Sequence, residues 1–177
     1  MRALLPYLLV TLPWMALLCL KDWRTQRLPN RWLLPMVALA LGVRSVLMGG
    51  WAGAVMGCAG GAVCALFLLV PFLRHCAGAG DVKLLFVCGC WLGLEACADL
   101  LMWVSLIGFV LALGFLLARR QTRLRLVHWV RCLCDVRYDR AAGRAALPPL
   151  PPESARMPFS LAIALGFYAT PLFDLLT

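Results

Sequence analysis

Six apolar runs, each nearly free of charge, constrain this chain more than any other feature: residues 3–20, 33–48, 51–73, 82–96, 100–118 and 159–176. A helix rises about 1.5 Å per residue, so roughly 18–20 apolar residues cross the hydrocarbon of a bilayer. The runs at 33–48 and 82–96 are short for this and are expected to recruit flanking residues. All six are continuously apolar and do not alternate with period two, which predicts helices and not a barrel. The expected fold is all-α, a polytopic membrane protein with about six transmembrane helices. Composition agrees, because 63% hydrophobic residues and a mean hydropathy of +0.88 exceed what a soluble domain carries. Helices one to five occupy residues 1–118, a basic loop fills 119–156, and the sixth helix lies in 157–177.

Charge sets the expected orientation. Lys21, Arg24, Arg27 and Arg31 lie between the first and second runs, and Arg74 and Lys83 between the third and fourth. Nine arginines from Arg119 to Arg156 lie between the fifth and sixth, leaving only Arg2 and Arg44 for the other side. The positive-inside rule puts the three basic connections in the cytoplasm and both termini outside. The net charge of +9 is then a basic face against anionic lipid, and no nucleic-acid partner is expected. The first run is read as a retained helix, bent at Pro6 or Pro13. It has a single basic residue before it, no A-x-A ending, and Leu18 before Cys19.

The smaller signals point to packing. Gly49, Gly53, Gly57 and Gly61 recur every four residues and give the third helix a small face on which a neighbour can pack closely. Most of the nine cysteines are expected to act as small hydrophobes. Only Cys97 falls near the outer face, so no outer disulfide pair is expected. His128, Cys132 and Cys134 form an H-x3-C-x-C cluster that is weak as a zinc site, since it has no second half. No metal or cofactor is expected. In the loop, RQTRLRLVHWVRCL at 120–133 suits an amphipathic helix on the cytoplasmic leaflet, and LPPLPPE at 147–153 suits a semi-rigid linker. No phosphate-binding loop or dinucleotide fingerprint occurs.

Two acids stand apart from the other six. Glu95 and Asp99 belong to an outer turn, Asp135, Asp139 and Glu153 to the basic loop, and Asp174 to the outer C-terminal end. Asp22 and Asp81 both fall at the cytoplasmic ends of membrane helices, at one depth. A local role is open to each. Asp81 follows Gly80 and suits an N-cap, and Asp22 could pair with Lys21 or Arg24. Asp22 nevertheless lies at a helix C-terminus, where the macrodipole disfavours a negative charge. Taken together the pair suits proton chemistry. Two carboxylates brought close do not both ionise easily, so one retains a proton while the other takes one from water.

The residues around both acids match a family pattern. DWRTQRLPN at 22–30 resembles the D-x-R-x-x-x-[IL]-P-N signature of type IV prepilin peptidases. GAGDVKL at 78–84 resembles their G-x-G-D-x-K-[LF] signature, whose GxGD core other intramembrane aspartyl proteases share. MPFSLAIALG at 157–166 resembles the opening of the family's last helix. The resemblance implies Asp22 and Asp81 as catalytic residues, supported by Arg24, Pro29, Asn30, Gly78, Gly80 and Lys83. It implies a bacterial inner-membrane aspartic endopeptidase with its active site at the cytoplasmic face. The substrate would be a prepilin or pseudopilin with a short leader. No paired C-x-x-C motifs precede Asp22, as in the short members that serve tight-adherence (Flp-type) pili, so methyltransferase activity is not expected. Besides the bilayer, the partners it allows are a second copy of the chain or the pilus assembly machinery. The rival readings are a small proton-coupled transporter, which would carry acids near the bilayer midplane, and a structural subunit of a pilus or secretion assembly.

Overall fold

A computed structural model of the chain describes residues 5–25, 29–73, 78–118 and 159–176. The basic loop, its amphipathic stretch and the His128, Cys132 and Cys134 cluster lie outside the described residues. The elements are α1 (Leu5–Thr25), α2 (Asn30–Leu47), α3 (Trp51–Leu73), α4 (Ala79–Leu92), a 3-10 turn (Leu94–Ala96), α5 (Cys97–Ala118) and α6 (Ser160–Leu176). Among the described residues there is no strand, so the fold is all-α. The chain divides into two compact units, residues 1–108 with 158–177, and residues 109–157. Asp22, Asp81, the first four helices, the start of α5 and all of α6 belong to the first unit.

Helices α3 (Trp51–Leu73) and Leu94–Leu117 are long and apolar enough to cross a membrane. Among the described residues the other helices do not reach that length and apolarity. The described part of α1 carries Lys21, Asp22 and Arg24 in its last turns, α2 carries Arg31 and Arg44, and the 14 residues of α4 span only about 21 Å. The fourth apolar run covers 82–96 in the sequence, whereas α4 begins at Ala79 and stops at Leu92. Gly93 causes the stop. It adopts φ 74°, a left-handed conformation that costs glycine little, while its N–H still donates to Gly89 O at 2.7 Å.

Helix α4 is the core of this unit. Leu84, Leu85 and every residue from Val87 to Leu92 are buried, so the helix is covered on all sides. Val104 from α5 and Ile163 and Phe167 from α6 complete the apolar cluster. Truncating a fully buried leucine such as Leu85 to alanine would cost about 2–5 kcal/mol.

The glycine face of α3 packs as expected and extends further than its four-residue repeat. Gly53, Gly57, Gly60 and Gly61 are buried, whereas Gly49 lies before the helix in a turn with φ 71°. A β-carbon at Gly60 would sit 2.8 Å from Gly89 O, and one at Gly61 would sit 2.8 Å from Phe86 O. The backbones of α3 and α4 therefore touch through glycine, where dispersion contacts hold helices that lipid does not push together.

Arg44, which the charge count leaves for the outer side, is not a surface charge. It is 2% exposed, its Nη1 donates to Trp91 O at 3.2 Å, and its guanidinium lies against Gly93. The physical reason is the C-terminus of α4, whose last carbonyls lack helical partners and carry partial negative charge. The cysteine expectation also needs correction. The sequence suggests Cys64 inside a span and Cys97 alone near the outer face, but their sulfurs lie 3.5 Å apart.

Candidate active site

Asp22 sits in the last turn of α1 and is 8% exposed. A charged group at that depth beside a helix C-terminus is costly, and neither the macrodipole nor bulk water relieves it. Its neighbour Lys21 is exposed and holds its Nζ 5.6 Å from the centre of the Trp32 ring. Arg24 is exposed at the end of the same helix.

The sequence suggests Asp81 as the cap of α4, and the structure puts Gly78 in that position instead. Gly78 takes the extended conformation of an N-cap, with φ −80° and ψ 145°, and Asp81 is the third residue of the helix. The two residues bond reciprocally. Gly78 N–H donates to Asp81 Oδ2 at 3.3 Å, and Asp81 N–H donates to Gly78 O at 3.1 Å. The carboxylate thus satisfies one of the orphan amides at the helix start. Space around it is limited, since a β-carbon at Gly78 would lie 3.1 Å from Oδ2.

Asp81 precedes the apolar run that begins at Val82. Burial, followed by the negative charge of Asp22, pushes its carboxyl up to about 6, against the opposing pull of the Gly78 N–H. The two acids are therefore within electrostatic reach of each other, although they belong to different helices and their numbers differ by 59 (81 minus 22).

Further groups tie the two motifs together. Lys83 Nζ donates to Asn30 Oδ1 at 2.9 Å, joining the first turns of α4 to the first residue of α2. Pro29 caps α2 with φ −74° and ψ 132°, and its carbonyl accepts from Trp32 N–H at 3.1 Å. Proline suits that position because it presets φ and has no N–H to leave unpaired. Gly80 is the second residue of α4 and is half-buried. The Asn30–Lys83 bond joins a residue of each signature, and no local pattern in either signature announces it.

Nor does the sequence signal a cleft of about 450 Å³ lined by Leu17, Leu18, Leu20, Lys21, Arg24 and Trp32. Neither acid lines it, but its α1 residues flank Asp22 on both sides in the chain. Among the described residues no group of three or more His, Cys, Asp or Glu gathers to hold a metal ion.

Chemically, a half-buried carboxyl titrating near 6 beside a second buried acid can hold or release a proton near neutral pH. A family model described as the type IV leader peptidase family matches residues 9–113, a stretch that contains both acids and both signatures. Neither the curated proteins nor the solved structures gave a match. With more than half of its length matched by that model, the chain belongs to the type IV leader peptidase family, whose members are membrane proteases acting on prepilin-type substrates.

Proposed function

We propose that this protein is an aspartic endopeptidase of the bacterial inner membrane. It removes the short leader of Flp-like prepilins or pseudopilins at the cytoplasmic boundary, using Asp22 and Asp81 as its catalytic pair. One observation supports the reading: two acids from separate helices are withdrawn from water, and burial first and the charge of Asp22 second raise the Asp81 carboxyl to about 6.

The reactive form carries the shared proton on Asp81, whose carboxyl is held at about 6. Asp22 takes a proton from a water molecule while the Asp81 O–H donates to the scissile carbonyl oxygen. The resulting hydroxide adds to the carbonyl carbon, giving a tetrahedral intermediate. Its collapse breaks the C–N bond, and the leaving nitrogen receives the proton that Asp22 took. The products are a carboxylate on the leader and a free amine on the mature pilin. Neither metal nor cofactor enters the sequence of steps.

Six membrane helices with the basic connections in the cytoplasm put this pair at the inner boundary, where a substrate helix leaves the bilayer and its leader begins. The cleft lined by residues next to Asp22 in the chain offers an apolar wall to residues flanking the scissile bond, with Lys21 and Arg24 among its lining. Co-expression with candidate prepilins tests the reading, with leader loss scored by gel mobility. Asp22→Asn and Asp81→Asn should each abolish leader removal while the proteins accumulate normally. Cleavage by either variant would end the assignment.

A further inference from the structure

Thiols gather at the end of α4 opposite the acid pair. Cys64 from α3 is fully buried, and Cys97, the first residue of α5, is 4% exposed. Cys64 Sγ donates to Cys97 Sγ at 3.5 Å. The Cys97 sulfur also lies 3.1 Å from Gly93 O and 3.3 Å from Gly60 O, either of which accepts its single S–H. Nothing in the proposed hydrolysis uses these groups.

We propose that Cys64 and Cys97 are an oxidisable pair that closes to a disulfide, joining α3 to the start of α5. The glycine seam creates the pair. Gly60 lies one turn before Cys64 and Gly93 one turn before Cys97, and a β-carbon at Gly60 would sit 2.7 Å from Leu94 N. Where backbones approach that closely, side chains one turn further along must meet. Closing from 3.5 Å to the roughly 2.05 Å of an S–S bond needs a movement of about 1.5 Å, within reach of side-chain rotation and small helix shifts.

The difference in exposure sets the order of events. The oxidant is an external disulfide, and Cys97, 4% exposed against 0% for Cys64, is the less buried of the two. The Cys97 thiolate attacks one sulfur of that disulfide, breaking its S–S bond and releasing one thiol. Cys64 then attacks Cys97 Sγ, forming the internal bond and releasing the second thiol. Two electrons pass from the cysteines to the oxidant, and the two cysteine protons end on the two released thiols. Cys58 is exposed on α3, and the sulfur hydrogen-bonded to Cys97 Sγ is that of Cys64, so the pair is Cys64 and Cys97.

The test uses the full-length protein in its membranes, treated with the permeant oxidant dipyridyl disulfide. The protein is then unfolded, its remaining thiols are capped with N-ethylmaleimide, and it is digested with trypsin. Cleavage after Arg74 and Lys83 separates the peptide 45–74, which holds Cys58 and Cys64, from 84–119, which holds Cys88, Cys90 and Cys97. The expected result is one species containing both peptides, lighter than their sum by two hydrogens and split by dithiothreitol. Fragmentation should assign its bond to Cys64 and Cys97, and Cys64→Ser and Cys97→Ser should each remove it. The fragment map of the unsubstituted chain decides the matter even if those variants do not insert. A bond mapped to Cys58, Cys88 or Cys90 overturns the proposal. So does recovery of Cys64 and Cys97 both capped by maleimide, or of Cys97 still carrying the pyridylthio group beside a capped Cys64.

Discussion

Replacing Asp81 by asparagine separates a catalytic acid from a helix cap, because the two roles predict opposite changes in stability. Asparagine keeps a side-chain oxygen that can accept the Gly78 N–H, now made to Asp81 Oδ2 at 3.3 Å. What it removes is the charge. The carboxyl of Asp81 is held at about 6 against an ordinary 3.8, by burial first and by Asp22 second. At about 1.36 kcal/mol per pH unit, that difference amounts to about 3 kcal/mol, as an order of magnitude.

The sign follows from proton linkage. As pH rises through 3.8, the unfolded chain releases its Asp81 proton while the folded chain still holds it. The folded state then binds more protons, so stability falls until pH passes about 6. Above that pH the wild-type protein carries the full cost of an ionised, half-buried carboxylate. Asp81→Asn should therefore be the more stable protein at pH 7–8, by up to about 3 kcal/mol, with the advantage vanishing below about pH 4. Thermal unfolding in detergent across pH 4–8 measures this. The same variant should lose at least about a hundredfold in leader removal, the lower range for a positioned acid or base. An Asp81→Asn protein that is less stable than wild type above pH 6, or one that still cleaves, would refute the reasoning.

Other perturbations test neighbouring parts of the site. Gly78→Ala leaves a backbone conformation that alanine adopts freely but puts a methyl group 3.1 Å from Asp81 Oδ2, so cleavage should fall several-fold with little change in melting temperature. Removing the Lys83–Asn30 bond by Lys83→Met or Asn30→Ala should cost no more than about 1 kcal/mol, because the bond is exposed, and a double-mutant cycle should show the losses are not additive. Gly60→Ala should prevent normal accumulation, since its methyl group would overlap the backbone at Gly89, Gly93 and Leu94. For the wild-type enzyme, single-turnover leader removal should decline as pH rises above about 6, when Asp81 gives up the shared proton.

Features visible in the sequence were those set by local chemistry. Continuous apolar runs marked the helices, and the third run coincides with α3 at Trp51–Leu73. The glycine spacing marked a packing face, and the positions of Asp22 and Asp81 marked one end of the bundle. Contacts made across elements were not visible. The charge count assigns Arg44 only a side of the membrane, yet its partner is a carbonyl at the end of α4. Cys97 reads as solitary because Cys64 is 33 positions earlier by their numbers, and only the meeting of Gly60 with Gly93 brings their sulfurs together. Asp81 reads as a cap because Gly80 precedes it, but the cap passes to Gly78, which has no side chain to obstruct the carboxylate folded back over it.

The register of Asp81 on α4 has a consequence for its chemistry. A carboxylate in the loop before the helix would be solvated and would titrate in the ordinary range. One turn deeper, Leu84 and Leu85 are fully buried, and a carboxyl in either place would be pushed up further by burial. The third residue of the helix lies between these limits. It is near enough to the helix start to receive the Gly78 amide, which favours the charged form, and deep enough for burial and Asp22 to oppose it. The balance of those influences leaves a carboxyl poised near 6. Holding that balance needs an α4 that does not slide or tilt. The glycine contacts with α3 and the Arg44 bond at the far end of α4 hold it, so residues far from Asp81 set the depth of its carboxyl.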